Sequence, residues 1–185
     1  MAGGAVNRGV GPFPIVVPRL SAFAKGAPAR FDDLFREHYP GLTRLATRVT
    51  GDPSAGEEIA SDVFVQLLHA RQPPPNPLAW LRRSTINAAI DRLRSEHRRR
   101  RREADVASVA HAALDPDLEQ RRARVRHALS LLRRRDARLM VARLGGWTYR
   151  EIAAALRVEE TSVGSMLARA EKSFEKEYRK HYGDA

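Results

Sequence analysis

The run Thr148-Tyr149-Arg150-Glu151-Ile152-Ala153-Ala154-Ala155-Leu156-Arg157-Val158-Glu159-Glu160-Thr161-Ser162-Val163 contains two helix starts close together. Thr148 followed three residues later by Glu151 is a capping box, in which each side chain satisfies a backbone N–H of the other residue. It opens a short helix through Leu156. A break at Arg157-Val158 follows, and a last helix runs from about Glu160 to Tyr178. Val163, Met166, Leu167, Ala170 and Phe174 line its inward face at spacings of three and four. Two helices joined by a tight turn predict a helix-turn-helix. In that motif the first residues of the second helix face base edges. Glu160, Thr161, Ser162 and Ser165 hold those positions, with Arg169 one turn on. Taken alone, the run also fits an ordinary helical hairpin.

Working outward, the chain reads as helix throughout. Gly145-Gly146 closes a segment patterned by Leu118, Val125, Leu129, Leu132, Leu139, Met140 and Leu144. Residues 103–117, with Asp115-Pro116, read as a linker. Upstream lies a helix starting near Pro77, a favoured first-turn residue. It carries Leu78, Trp80, Leu81, Ile86, Ala89, Ile90 and Leu93, then runs into Arg98 to Arg102. Arg71-Gln72-Pro73-Pro74-Pro75-Asn76 before it stops helix and stiffens the loop. The preceding helix carries Ile59, Val63, Phe64, Leu67 and Leu68, with Ser54 and Glu57 as a second capping box after the turn Gly51-Asp52-Pro53. A first helix begins at Phe31, and Pro40-Gly41 is expected to kink or split it. Residues 1–30 are rich in Gly, Pro and Ala and read as a flexible tail. The expected fold is all-α: a helical domain over 31–102, a flexible linker over 103–117, and a second helical domain with the helix-turn-helix over 118–182.

The chain has 185 residues with a formal charge of +11, and its positive charge is almost all arginine. Arginine's planar fork suits phosphates and base edges better than a lysine point charge does. A chain this basic favours polyanions, chiefly nucleic acid or an anionic membrane surface. The charge comes in blocks: residues 77–102 hold nine basic and two acidic side chains, whereas 32–76 are net acidic. Such alternation predicts more than one kind of partner. There is no cysteine, which excludes a disulfide scaffold, a thiolate zinc site and a Cys nucleophile. No apolar run approaches the roughly 20 residues that span a bilayer. Pro12, Pro14 and Pro18 interrupt the only N-terminal apolar stretch, so the expectation is a cytoplasmic protein with no membrane insertion. The six histidines are scattered, and no HExxH, phosphate-cradling glycine loop or GxSxG occurs. No enzyme, metal, cofactor or small-molecule substrate is expected.

Two further segments carry chemistry. Arg92, Arg94 and Arg98 to Arg102 put a cationic flank on a helix that bears Trp80 and Asn87. Arginines would hold phosphates while the polar and aromatic groups meet bases. Cations also suit a helix C-terminus, but five in a row exceed what the dipole requires. In Asp62-Val63-Phe64 an acid beside an aromatic could dock a basic partner, although the residues alone favour a core Phe64 and a solvated Asp62.

The segments in this order resemble the extracytoplasmic-function sigma factors of bacteria, the small two-domain promoter-recognition subunits of RNA polymerase. The likeness covers about residues 31–180. Gly51-Asp52 through Ala55-Gly56-Glu57-Glu58-Ile59-Ala60-Ser61-Asp62-Val63-Phe64 is similar to the family's Gly-Asp, Ala-Glu-Asp, Asp-Val-Phe signature. Trp80-Leu81-Arg82-Arg83 with Asn87 to Arg94 resembles its tryptophan–asparagine–aspartate helix, and Tyr149 to Ala170 its C-terminal helix-turn-helix.

The resemblance implies roles that composition does not. Glu58, Asp62, Val63, Phe64 and Gln66 would dock on the β′ subunit of core polymerase. Arg71, Asn76, Trp80, Arg83, Asn87, Asp91, Arg94, Arg98 and Arg99 would melt the −10 element and hold an unpaired base. Tyr149, Arg150, Glu160, Thr161, Ser162, Ser165, Arg169 and Lys172 would read the −35 duplex. Promoter DNA and core polymerase are the implied partners, with an anti-sigma factor as an inhibitor in many members. The chain would set specificity without catalysing anything. It departs from the family in having Gly164 and Met166 where many members have Lys or Arg, Arg157 for Gly, Ser84-Thr85-Ile86 for Ile-Ala-Arg, and Leu132-Arg133 for Leu-Pro. Without the resemblance, a free-standing helix-turn-helix regulator, or a nucleic-acid-processing or RNA-binding protein, would fit the same residues.

Overall fold

The computed structural model describes residues 28–103 and 116–183. The expected tail over 1–30 and linker over 103–117 therefore lie largely outside the described residues. Seven helices follow: α1 Pro28–Thr50, α2 Pro53–His69, α3 Pro77–Glu103, α4 Pro116–Leu131, α5 Arg134–Leu144, α6 Tyr149–Leu156 and α7 Glu160–Tyr182. The described residues include no strand. The protein is all-α, as its sequence predicts.

Local chemistry places the helix ends. The Asp52 carboxylate caps α2 by accepting from the Ser54 backbone N–H at 2.9 Å, and Pro53 fills the first-turn position. This corrects the capping box expected at Ser54 and Glu57. Asp52 already satisfies the exposed donor, so Ser54 lies inside the helix. Asn76 caps α3 likewise, its Oδ1 accepting from Ala79 N–H at 2.9 Å. Thr148 and Glu151 form the expected capping box on α6. Helix α1 runs unbroken through Pro40. Beyond Pro40, the buried Leu42, Leu45, Ala46 and Val49 anchor the rest of the helix to its neighbours.

Helix α3 is the spine. It packs against α1 and α2 on one side and against α4, α5 and α6 on the other. One side of the core brings Leu45, Val49, Val63, Phe64 and Leu67 onto Leu81, Ile86 and Ile90. The other gathers Leu139, Val141, Trp147, Ile152, Val163, Met166 and Leu167. Both belong to one continuous apolar cluster. Expected core positions that fall outside it include Leu118, Val125 and Leu144, which are 43%, 46% and 47% exposed. Burial in α4 concentrates at its C-terminal end, where Ala128, Leu129 and Ser130 are buried.

Candidate nucleic-acid interface

Glu58, Asp62 and Gln66 are spaced four apart on α2, and all three are exposed. They form one polar stripe. Arg92 of α3 reaches Glu58 at 3.6 Å, an exposed pair that leaves the stripe open. Val63 and Phe64 take a different place from their neighbours. Phe64 is 2% exposed and sits among Phe31, Phe35 and Tyr39, with ring centroids 5.8, 5.0 and 6.0 Å away. Val63 is equally buried. These two residues build the scaffold beneath the stripe and present no surface to a partner. Val65, 47% exposed, extends the stripe and was missed by motif reading. Its helical spacing from Glu58 and Asp62 was the available signal.

The basic helix α3 splits into two surfaces. Arg98 to Arg102 at its C-terminal end are exposed, with Glu96 pairing Arg99 at 2.9 Å and Arg100 at 3.4 Å. These contacts hold the Glu96 carboxyl below its ordinary range, against a burial cost that acts the other way. Earlier on the helix, Arg83, Asn87, Asp91 and Arg94 follow one face. That face meets the second helical group. Arg134 Nη2 donates to Asp91 at 2.6 Å, and Arg94 Nη2 donates to the Leu132 carbonyl at 2.6 Å. Burial, with Arg157 and Arg138 nearby, pushes the Arg83 guanidinium below its ordinary value. Asn87 Oδ1 is buried with no hydrogen-bond partner. Trp80 is partly buried against the core, Asn76 is engaged as the α3 cap, and Arg71 is exposed in the loop.

The helix-turn-helix presents a separate surface. Tyr149, Arg150, Glu160, Thr161, Ser165, Arg169 and Lys172 are exposed, and Ser162 is half-buried. The turn needs a left-handed residue, and Arg157 supplies it with φ +57°. That conformation explains why a glycine commonly stands there. Tyr149 lies over Gly164, where an added Cβ would sit 3.5 Å from its ring. The residues expected to read the −35 duplex thus lie at the surface of α6 and α7.

Sequence reading missed the residues that join the two groups. Arg82 Nη2 donates to Glu151 at 2.6 Å, and its guanidinium lies 5.0 Å from the centre of the Trp147 ring. Glu151 is held below its ordinary range, first by the Thr148 backbone N–H and then by Arg82, with burial opposing. In a chain so rich in arginine, no pattern marked Arg82, Arg134 or Arg138 as special.

Comparison with known proteins identifies this arrangement. The family described as Sigma-70 region 2 matches residues 34–99, and Sigma-70, region 4 matches residues 122–174. The chain is 28% identical over 170 residues to the RNA polymerase sigma factor CarQ of Myxococcus xanthus, covering 85% of this chain and 92% of that protein. It is also 28% identical over 170 residues to the ECF RNA polymerase sigma factor SigK of Mycolicibacterium vanbaalenii, covering 83% and 86% respectively. Among solved structures, that of CnrH in complex with the cytosolic domain of CnrY superposes with a TM-score of 0.54 at 22% identity. The superposition covers 83% of this chain and 90% of that one, a likeness of fold.

The all-helical fold and the two matched regions define a sigma-70-type RNA polymerase sigma factor. More narrowly, the chain belongs to the extracytoplasmic-function family. It is an alternative sigma factor and directs transcription initiation. It works with RNA polymerase and promoter DNA, and its family consists of non-catalytic initiation factors. Among the described residues no helix is long and apolar enough to cross a membrane.

Proposed function

We propose a division of labour among three surfaces. The stripe Glu58, Asp62, Gln66 and Val65 docks on the β′ subunit of core polymerase. The loop from Arg71 to Asn76 and the face of α3 from Trp80 to Arg99 open the −10 element, with Asn87 nearest the captured base. The face from Tyr149 to Lys172 reads the −35 duplex. In this reading residues 31–102 and 118–182 are the two working domains, and the protein acts in the bacterial cytoplasm, where its polymerase is. The chain carries out no catalysis itself; phosphodiester chemistry belongs to the polymerase. CnrH is known bound to the cytosolic domain of CnrY. By analogy, an anti-sigma factor is the regulatory partner assigned to this chain.

The observation that carries the reading is the acidic stripe on α2, exposed beside the buried Val63 and Phe64. A rigid charged face of this kind suits a basic partner helix and has no use in a free-standing regulator. Val63 and Phe64 act indirectly, by holding that face. The test is charge reversal of Glu58→Lys with Asp62→Lys. Both positions are exposed, so helicity and stability should change little. Affinity for core polymerase should fall by about tenfold or more, since each like-charge contact costs on the order of 1 kcal/mol. Wild-type affinity in the folded double variant would overturn the docking assignment.

A further inference from the structure

We propose that a cavity lined by α1, the start of α3 and the turn between α5 and α6 is a binding site for a small polyphosphate anion. None of its lining residues is assigned above to polymerase or promoter DNA. The site is therefore separate from those three surfaces and stands whether or not they do.

Shape is the first argument. The cavity holds about 310 Å³, within the range of about 300–1,000 Å³ usual for small-molecule sites. A duplex cannot enter a space of that size. Leu42, Leu45 and Leu78 supply its apolar lining, and Gly145 and Trp147 border it from the second helical group. Gly41 lies on the α1 wall, where an added Cβ would meet nothing within 4 Å.

Charge is the second. Arg44 and Arg48, one turn apart on α1, line the cavity together with Arg82 of α3. Glu37 is the one carboxylate among the lining residues described, and it lies 3.7 Å from His38 Nε2. Three guanidinium groups against one carboxylate leave an excess of two positive charges. Arg82 donates through Nη2 to Glu151, which does not line the cavity, and has further N–H donors. Arg48 donates to the Leu144 carbonyl at 3.4 Å, a long contact with a neutral group. Among the described residues, no hydrogen bond or ion pair engages Arg44. Cations gathered round a partly enclosed space repel one another more than they would in open water. A polyphosphate relieves that repulsion, because its oxygens accept forked hydrogen bonds from guanidinium groups. It also matches the excess charge, which a monoanion does not.

Isothermal titration of the intact chain with inorganic pyrophosphate, ATP and adenosine tests this. Metal-free buffer at about 0.15 M salt screens diffuse attraction beyond about 8 Å. Pyrophosphate or ATP should bind at one site with a dissociation constant of about 100 μM or tighter, and adenosine should not bind. The order of the two anions shows whether the nucleoside is admitted beside Leu42 and Leu78. No saturable binding of either anion, or adenosine binding as tightly as ATP, overturns the proposal.

Variants locate the site. Arg44→Gln with Arg48→Gln removes two exposed cations and should weaken binding of the better anion by about tenfold or more, at unchanged helicity. Gly41→Leu keeps every charge, suits a helix interior better than glycine, and puts a side chain at the cavity wall. It should weaken binding by about tenfold as well, through lost space alone. Replacing Arg98, Arg101 and Arg102 with glutamine should leave the affinity within about twofold, since none of them lines the cavity. Full affinity in either of the first two variants, or an equal loss in the third, puts the anion elsewhere and overturns the proposal.

Discussion

A single Cβ decides how closely α1 and α2 can cross. Gly56 is buried at the crossing, and a Cβ there would lie 2.1 Å from Thr47 Oγ1 and 2.9 Å from the Thr47 backbone nitrogen. Backbone cannot retreat as a flexible side-chain tip can. Gly56→Ala should therefore destabilise the fold by about 1–3 kcal/mol despite alanine's better helix propensity. Urea unfolding measures this, and an unchanged midpoint would mean the helices do not approach so closely. Arg157 presents the opposite case. Its left-handed conformation costs a side-chain-bearing residue roughly 1 kcal/mol. Arg157→Gly removes that strain and a cation beside Arg83, so the melting temperature should rise. A fall would show that Arg157 makes a stabilising interaction worth more than its strain.

At the scale of elements, a histidine cluster joins three helices. The His97 ring on α3 lies 4.5 Å from His127 on α4, and His127 lies 5.1 Å from His181 on α7. His127 Nδ1 and the Tyr182 hydroxyl share a hydrogen bond, with Arg124 over the tyrosine ring at 5.5 Å. Burial lowers the pKa values of His97 and His127, reinforced by Arg101, Arg100 and His181 around His97, and by His97, His181 and Arg101 around His127. Glu177 lies 3.9 Å from His181 at the edge of the cluster. A histidine whose pKa falls on folding takes up a proton more readily unfolded, so its neutral form supports the fold. That support is complete above the ordinary histidine value of about 6.5 and fades as the pH drops below it. Glu96 and Glu151 are held below the usual carboxylate range and lose their contribution only at lower pH. The urea midpoint should therefore fall between pH 7.5 and 5.5, and His127→Gln should flatten the slope. An equal slope in the variant would place the titration elsewhere.

The basic end of α3 makes its own prediction at this scale. Arg98, Arg101 and Arg102 are exposed on the last turns of the helix. Replacing all three with glutamine should weaken binding to different promoters alike. It should also flatten the salt dependence by about one unit for each phosphate that is no longer neutralised. A weakening confined to one promoter sequence would mean that these side chains read bases.

For the whole molecule, sequence and structure agree most where the signal is local. Thr148 with Glu151 marked a helix start because a cap depends only on residues three apart. The break at Arg157 and the exposed face of α7 were legible for the same reason. Ser54 misled because Asp52, two residues earlier, satisfies the same donor. Leu118, Val125 and Leu144 misled because periodicity shows which face is apolar and not how deeply each position is buried. The joining of the two helical groups was illegible: Arg82 to Glu151 and Arg134 to Asp91 are distant pairings, hidden among many other arginines. The −10 residues could thus be named by resemblance, but not the contacts that Asp91 and Arg94 make with the second helical group. Val63 and Phe64 belong to the docking signature in sequence and to the core in space.

The most direct test adds the purified chain to core RNA polymerase on a fragmented genomic template and maps the 5′ ends of the transcripts. The account predicts new start sites, absent with core enzyme alone, that share sequence elements near −10 and −35. The same set of starts with and without the chain, in a reaction where a known sigma factor redirects the polymerase, would contradict it.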